Sequence, residues 1–268
     1  MQKDFTYDIY SGLIDSFKKS GYSFRPFIDY ISDGSDIERC VVVRHDVDRL
    51  PENALKMAYM ENDSGIKTSY FFRAVDHLYD GSIIKMIATL GHEVSYHYED
   101  LSLCRGNYEL AIKNFESNLK TFREFYPVKT ICMHGSPLSQ FDNKKLWEKY
   151  DYRDYGIIAD PSFDLDYDEV FYITDTGRSW NNSQASVRDK INSKFEIAIK
   201  DTHQLIEKIQ SNELPDKILI NVHPQRWSDE FVPWASELVR QRVKNQIKKW
   251  MIRMSSLTET DEFPYGNR

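Results

Sequence analysis

The chain has 268 residues, of which 41% are apolar and 29% charged, enough to bury a large core in one large domain or two small ones. A net charge of -7 and the absence of a long basic run exclude a broad electrostatic footprint for nucleic acid. No stretch approaches the roughly 18 uninterrupted apolar residues of a membrane span, which excludes an integral membrane segment.

In chain order, Tyr10, Leu13, Ile14 and Phe17 fall at helical spacing and predict a helix over 7–19, with Gly21 as its cap. A strand from about 39 leads into Val41-Val42-Val43-Arg44-His45-Asp46-Val47-Asp48, and Pro51 opens a helix over 51–62. A strand at 67–73, a helix at 81–90, a strand at 93–97, a helix at 108–125 and a strand at 128–133 follow. A short helix at 144–150, strands at 157–158 and 170–174, a helix at 203–210, a strand at 217–222 and a long amphipathic helix over 232–254 complete the pattern. No repeat or long linker divides the chain, so the expectation is one domain, 1–268, with 1–38 and 228–268 as helical flanks. Strands that trade places with helices imply a mostly parallel sheet. Polar residues just after several strands, namely Asp46, Asp48, His97, His134, Asp175 and His223, favour an incomplete β/α barrel with its site at the strands' C-terminal ends. No glycine pattern signals a dinucleotide or nucleoside triphosphate site.

Strand alternation puts Arg44, Asp46 and Asp48 on one face. Two carboxylates held that close need a cation between or beside them, so Arg44 as counter-charge, a metal ion, or both are expected. In Gly91-His92-Glu93-Val94-Ser95-Tyr96-His97 the same alternation carries His97 to a strand exit, as a candidate ligand for zinc or a similar ion. Glu99 or Asp100 stands ready to orient it or to join the coordination. His134, before Gly135-Ser136-Pro137, is a third candidate ligand or a cap of that turn, and His223 in Asn221-Val222-His223-Pro224 suits proton transfer. Arg178 and Trp180 offer an anion contact and a stacking surface for a sugar, or a plain polar turn. Cys40, Cys104 and Cys132 leave one thiol unpaired under any disulfide scheme and sit in apolar surroundings, as thiols of a reducing compartment do. With no basic region and apolar stretch at the N-terminus, a cytoplasmic location is expected.

In this order the stretches resemble the polysaccharide deacetylase superfamily of carbohydrate esterases, over about residues 39 to 227. The resemblance implies an irregular β/α barrel that removes acyl groups from amino sugars with a divalent metal, zinc first among them. Arg44-His45-Asp46-Val47-Asp48 is similar to the family's acid pair with one residue between, which gives Asp46 as general base and Asp48 as ligand. The Gly91–His97 stretch resembles GHEIGNH, whose last histidine, here His97, binds the metal. Residues 134–137 stand in place of the family's Arg-x-Pro-Tyr, and His223 in that of the late Leu-x-His, whose histidine acts as acid. The family's second metal histidine would fall on Leu101, and its substrate-contacting arginine on His134. Either His134 completes an Asp48–His97–His134 site, or Glu99 or Asp100 does, or the metal has been lost. Arg44, Glu99, Arg178 and Trp180 are the expected substrate contacts.

The expected substrate is an N-acylated sugar, a nucleotide- or lipid-linked precursor of surface polysaccharide. The alternatives are hydrolysis of a non-sugar amide such as a cyclic ureide, and a metal-free sugar-binding role in polysaccharide assembly. The residues leave the oligomeric state open.

Overall fold

Helices and strands alternate along the chain because local caps and apolar spacing agree at each boundary. The computed structural model describes residues 3–33, 38–75, 80–136, 139–180 and 193–259, with side chains as far as 247. Helix α1 (Tyr7–Lys19) starts where the Thr6 hydroxyl accepts the Ile9 N–H, and ends before Gly21, whose φ of 80° lets the chain turn back. Strand β2 (Cys40–Val47) is buried throughout and runs into α3 (Pro51–Asp63). Between them Leu50, two residues after Asp48, takes a left-handed φ of 53°, a conformation costing about 1–2 kcal/mol in a residue with a Cβ.

Next come β3 (Ser69–Phe72), α4 (Gly81–Thr89), β4 (Glu93–Tyr98), α5 (Asp100–Leu103), α6 (Tyr108–Phe122) and β5 (Ile131–Met133). After α7 (Pro161–Asp164) follow β6 (Phe171–Thr174), α8 (Thr202–Gln210), β7 (Lys217–Val222) and α9 (Phe231–Glu259). All described pairings are parallel, in the order β5-β4-β3-β2-β7-β6. β5 and β6 form the two ends of that path, so the barrel is incomplete.

The sheet curls. In a flat sheet residues after β5 and β2 would stand about 14 Å apart, three strand spacings, with side chains parallel. Instead His134 Nε2 lies 3.6 Å from Asp48 Oδ1. The outer face packs on helices in two groups: β3, β4 and β5 against α3, α4 and α6 through residues such as Tyr96, Ile84 and Phe115, and β2, β6 and β7 against α1 and α8 through Val43, Ile220, Leu13 and Leu205. Each such large apolar side chain contributes about 1.5–3 kcal/mol by leaving water. The inner face carries a smaller cluster of Val42, Phe71, Cys132 and Leu219, onto which Phe27, Ala159 and Val170 pack.

Several boundaries differ from the sequence reading. Residues 23–25 form a strand, β1 (Ser23–Arg25), paired with the start of β2, and α2 (Phe27–Asp33) follows it. Residues 1–38 are therefore no helical appendage where they are described: Phe27 enters the inner cluster, and Phe5 and Tyr10 pack with Trp227. The backbone N–H of Ile28 donates to Glu93 Oε2 at 3.0 Å, closing the N-terminal end of the sheet. The predicted strand 157–158 is a single bridge from Ala159 to Thr130, and the predicted helix 144–150 is a 3-10 helix over Asn143–Glu148. Too few residues repeat there for periodicity to separate the choices. No helix among the described residues is long and apolar enough to cross a membrane.

Candidate metal centre

Four strand ends deliver the site. β2 brings Asp46 and Asp48, β4 brings His97, β5 brings His134 and β7 brings His223. Asp46, His97 and His223 are buried, while Asp48 and His134 keep partial exposure. His97 Nε2 lies 3.6 Å from Asp48 Oδ1 and 3.8 Å from Asp46 Oδ2, so the two carboxylates converge as strand alternation predicts. His134 Nε2 is also 3.6 Å from Asp48 Oδ1, and His223 Nε2 is 3.9 Å from Asp48 Oδ2.

Hydrogen bonds fix which ring nitrogens face inward. His97 Nδ1 lies 3.0 Å from the Cys132 carbonyl, which can only accept, so Nδ1 carries the hydrogen and the Nε2 lone pair turns to Asp48. His134 Nδ1 is 2.8 Å from Glu99 Oε2 and His223 Nδ1 is 2.6 Å from Asp175 Oδ1, with the same result. Burial raises the Glu99 carboxyl, but His134 and Arg73 outweigh it and bring its pKa to about 2, so it is an ionised acceptor at neutral pH. Asp175 is held likewise: burial opposes its charge, and Arg226 and His223 more than compensate, leaving its pKa below the ordinary range. The Trp227 indole N–H also donates to Asp175, at 2.8 Å.

The donor set fits a divalent cation. Asp48 Oδ1 is buried and has no hydrogen-bond partner among the described residues, although two imidazole lone pairs face it. A carboxylate oxygen so placed lacks its compensation unless a cation supplies it. Three donors at the corners of a tetrahedral zinc shell stand about 3.4 Å apart, given bonds of about 2.1 Å. The 3.6 Å separations match that spacing, and ligand atoms of Asp48, His97 and His134 all lie within 4.8 Å of one another. Burial lowers the His97 pKa, which favours the neutral ligand form. For Asp48, burial is outweighed by His134, His223, His97 and Arg73, so its pKa falls below the usual carboxylate range. A second group, Asp46, His97 and Cys132, lies one layer deeper and shares His97.

Asp46 has different company. Arg44 Nη2 donates to its Oδ2 at 2.9 Å, and Asn221 Nδ2 donates to the same oxygen at 2.8 Å. Its Oδ1 is buried with no hydrogen-bond partner among the described residues. Burial raises the carboxyl, while Arg44, His97 and His223 lower it further, so Asp46 remains ionised at neutral pH.

The other residues singled out from sequence fall in different places. Arg44 is buried under Tyr172 and serves Asp46 as counter-charge, which leaves it no open face for a substrate. Glu99 is likewise occupied, with Arg73 on Oε1 and His134 and Ser136 on Oε2, so it orients His134 rather than contacting substrate. Arg178 donates to the backbone carbonyls of Trp234 and Asp4 and stacks near Phe5, while the Trp180 indole is buried with its N–H on Thr202. Arg178 therefore fastens the N-terminal segment and α9, and Trp180 packs on Phe5 and α8, so both side chains are taken up in packing. Leu101 is buried against the helices of the outer face, and Asp100 points the same way, toward Tyr96, Asn114 and Asn118; neither joins the centre. Pro137 of the turn after His134 lies outside the described residues.

Sequence reasoning missed Arg73, Asn221 and Gln225. Arg73 continues the inward alternation of Ser69 and Phe71, and Asn221 is an amide inside an apolar strand two residues before His223; both signals were present. Gln225 donates to Asp48 Oδ2 at 3.2 Å from the 3-10 turn Pro224–Arg226, which no periodicity announces.

No family model matches the chain, and no curated protein matches it. Solved structures of similar shape belong to the CE4 family. A CE4 family pseudoenzyme from Bacillus anthracis is 11% identical over 80% of this chain and 63% of its own, with a TM-score of 0.44. The chain thus spans less than two thirds of that protein's length. The family 4 carbohydrate esterase from Streptomyces lividans, in complex with acetate, is 13% identical over 80% of this chain and 91% of its own, with a TM-score of 0.41. The Xyl-CE4 domain of a multidomain xylanase from the hindgut metagenome of Trinervitermes trinervoides is 12% identical over 78% and 84%, with a TM-score of 0.42. With TM-scores below 0.5, function rests on the site itself.

Proposed function

We propose that the chain is a metal-dependent deacylase acting on an N-acylated sugar, such as a nucleotide- or lipid-linked precursor of surface polysaccharide. The observation that carries this reading is the unpartnered Asp48 Oδ1, faced at 3.6 Å by the Nε2 atoms of His97 and His134. Asp48, His97 and His134 would hold the ion, zinc by the mixed carboxylate and imidazole donors. What a divalent ion supplies when bound there is polarisation of an acyl carbonyl and a lowered pKa for water.

The chain's own groups account for the proton movements. Asp46 takes a proton at Oδ1, the oxygen that Arg44 and Asn221 leave open. His223 acts as acid only with both ring nitrogens protonated: from that form Nε2 gives its proton to the leaving amine, while Asp175 on Nδ1 holds the ring's orientation.

Zinc titration of protein purified without chelator tests the centre: one ion per chain should bind, and free zinc at about 100 times its Kd should stabilise the fold by about 3 kcal/mol. No uptake and no stabilisation would instead favour a metal-free sugar-binding role. Turnover of N-acetyl sugars against cyclic ureides then separates the two hydrolase readings. Because Glu99 orients His134, Glu99→Gln should weaken zinc binding about 10–100-fold with His134 still present, measured by competition with a chromophoric chelator.

A further inference from the structure

Helix α9 exposes an apolar stripe that an ordinary surface helix would bury. Three of its polar residues face the body: Glu237 accepts from Arg49 at 2.8 Å, Asn245 donates to the Gly177 carbonyl at 3.0 Å, and Glu237 and Gln241 are buried. Four of its apolar residues face out. Val232, Val239, Val243 and Ile247, spaced by seven, four and four, are 75%, 61%, 55% and 50% exposed. That spacing draws one stripe along a helix, and a continuous exposed apolar stripe marks an interaction surface.

Charge decides what it fits. As far as residue 247 the helix carries Arg240, Arg242 and Lys244 against Glu237, in a chain whose net charge is -7. Arg240, Arg242 and Lys244 are exposed between the stripe residues. Pairing the stripe with a second copy would bring two cation-rich helices together, which repel. An anionic lipid surface offers both things the face presents, an apolar layer for the stripe and phosphate charge for the flanking cations.

We infer that α9 is an interfacial helix that lies on an anionic membrane surface. Its inward contacts, Arg49 and Gly177, follow Asp48 and Asp175, so the helix sits at the same end of the sheet as the strand-end cluster and turns that end toward the lipid. The inference stands on this surface alone and not on the reading of the metal centre.

Sedimentation of the full chain with vesicles tests it without metal or substrate. Vesicles of phosphatidylcholine with about 30% phosphatidylglycerol should bind the chain at least about tenfold more strongly than phosphatidylcholine alone, and added salt should weaken that binding. Arg240→Glu/Arg242→Glu should lower the partition at least about tenfold, as should Val239→Ser/Val243→Ser; all four positions are exposed, so circular dichroism should stay unchanged. Equal, weak sedimentation with both vesicles would overturn the inference. So would a dimer in light scattering that the serine variant dissociates, since the stripe would then be spoken for by a second copy.

Discussion

Exchange of Asp46 for Asn is expected to lower kcat for N-deacylation about 10²–10⁴-fold while zinc uptake stays at one ion per chain. An amide oxygen can still accept from Arg44 Nη2 and Asn221 Nδ2, which now meet on Asp46 Oδ2, so the side chain keeps its orientation. What it loses is basicity at the other position. Asp48→Asn is expected to behave differently, because it weakens the donor that His97 and His134 face and so reduces zinc binding as well as turnover. The pair of variants therefore separates proton transfer from metal holding. Measured kcat and zinc stoichiometry give the comparison, with thermal unfolding as the control for fold. Undiminished turnover in Asp46→Asn would remove Asp46 as the base, whatever the metal content.

Strand alternation alone carried much of this arrangement. It put Asp46 with Arg44 on the inner face of β2 and His45 on the outer, and it put His97 with Glu93 and Ser95; the curl of the sheet then brought His134 to Asp48 across three strand spacings. Alternation reports a side chain's face but not its partner. Arg44 thus reads both as the counter-charge of Asp46 and as a substrate contact, and Glu99 as an orienter of His97, a ligand or a substrate contact, although neighbouring charges occupy both. Arg178 and Trp180 misled for a related reason: an arginine and an indole after a strand suit a ligand as well as they suit backbone carbonyls, and only the position of the N-terminal segment and α9 decides. Short elements such as β1, α5 and α7 carry too few residues for a period to emerge, and tertiary pairing formed them.

The outer side of β2 holds the largest expected stability effect. Glu61 is fully buried on α3, at helical spacing from Ala54, Met57 and Ala58, and receives the hydroxyls of Tyr10, Thr68 and Tyr70 together with His45 Nε2 at 2.7 Å. His92 stands 3.7 Å away. Glu61→Ala leaves these groups unpaired in a dry interior and should cost about 3–5 kcal/mol, read from denaturant unfolding at neutral pH. The same carboxylate gives the loss a pH signature. Burial raises its pKa, but His45, His92 and the Tyr10 hydroxyl outweigh that and bring it from 4.5 to about 2. A depressed folded pKa means that stabilisation is fully present above about 4.5 and is lost as pH falls toward about 2, with a total on the order of 3 kcal/mol. Glu61→Gln keeps most of the shape and cannot ionise, so the stability gap between it and the natural chain should be widest at neutral pH and narrow through that acid window. A gap that stays constant from neutral pH down to pH 2 would show that the network does not depend on the Glu61 charge.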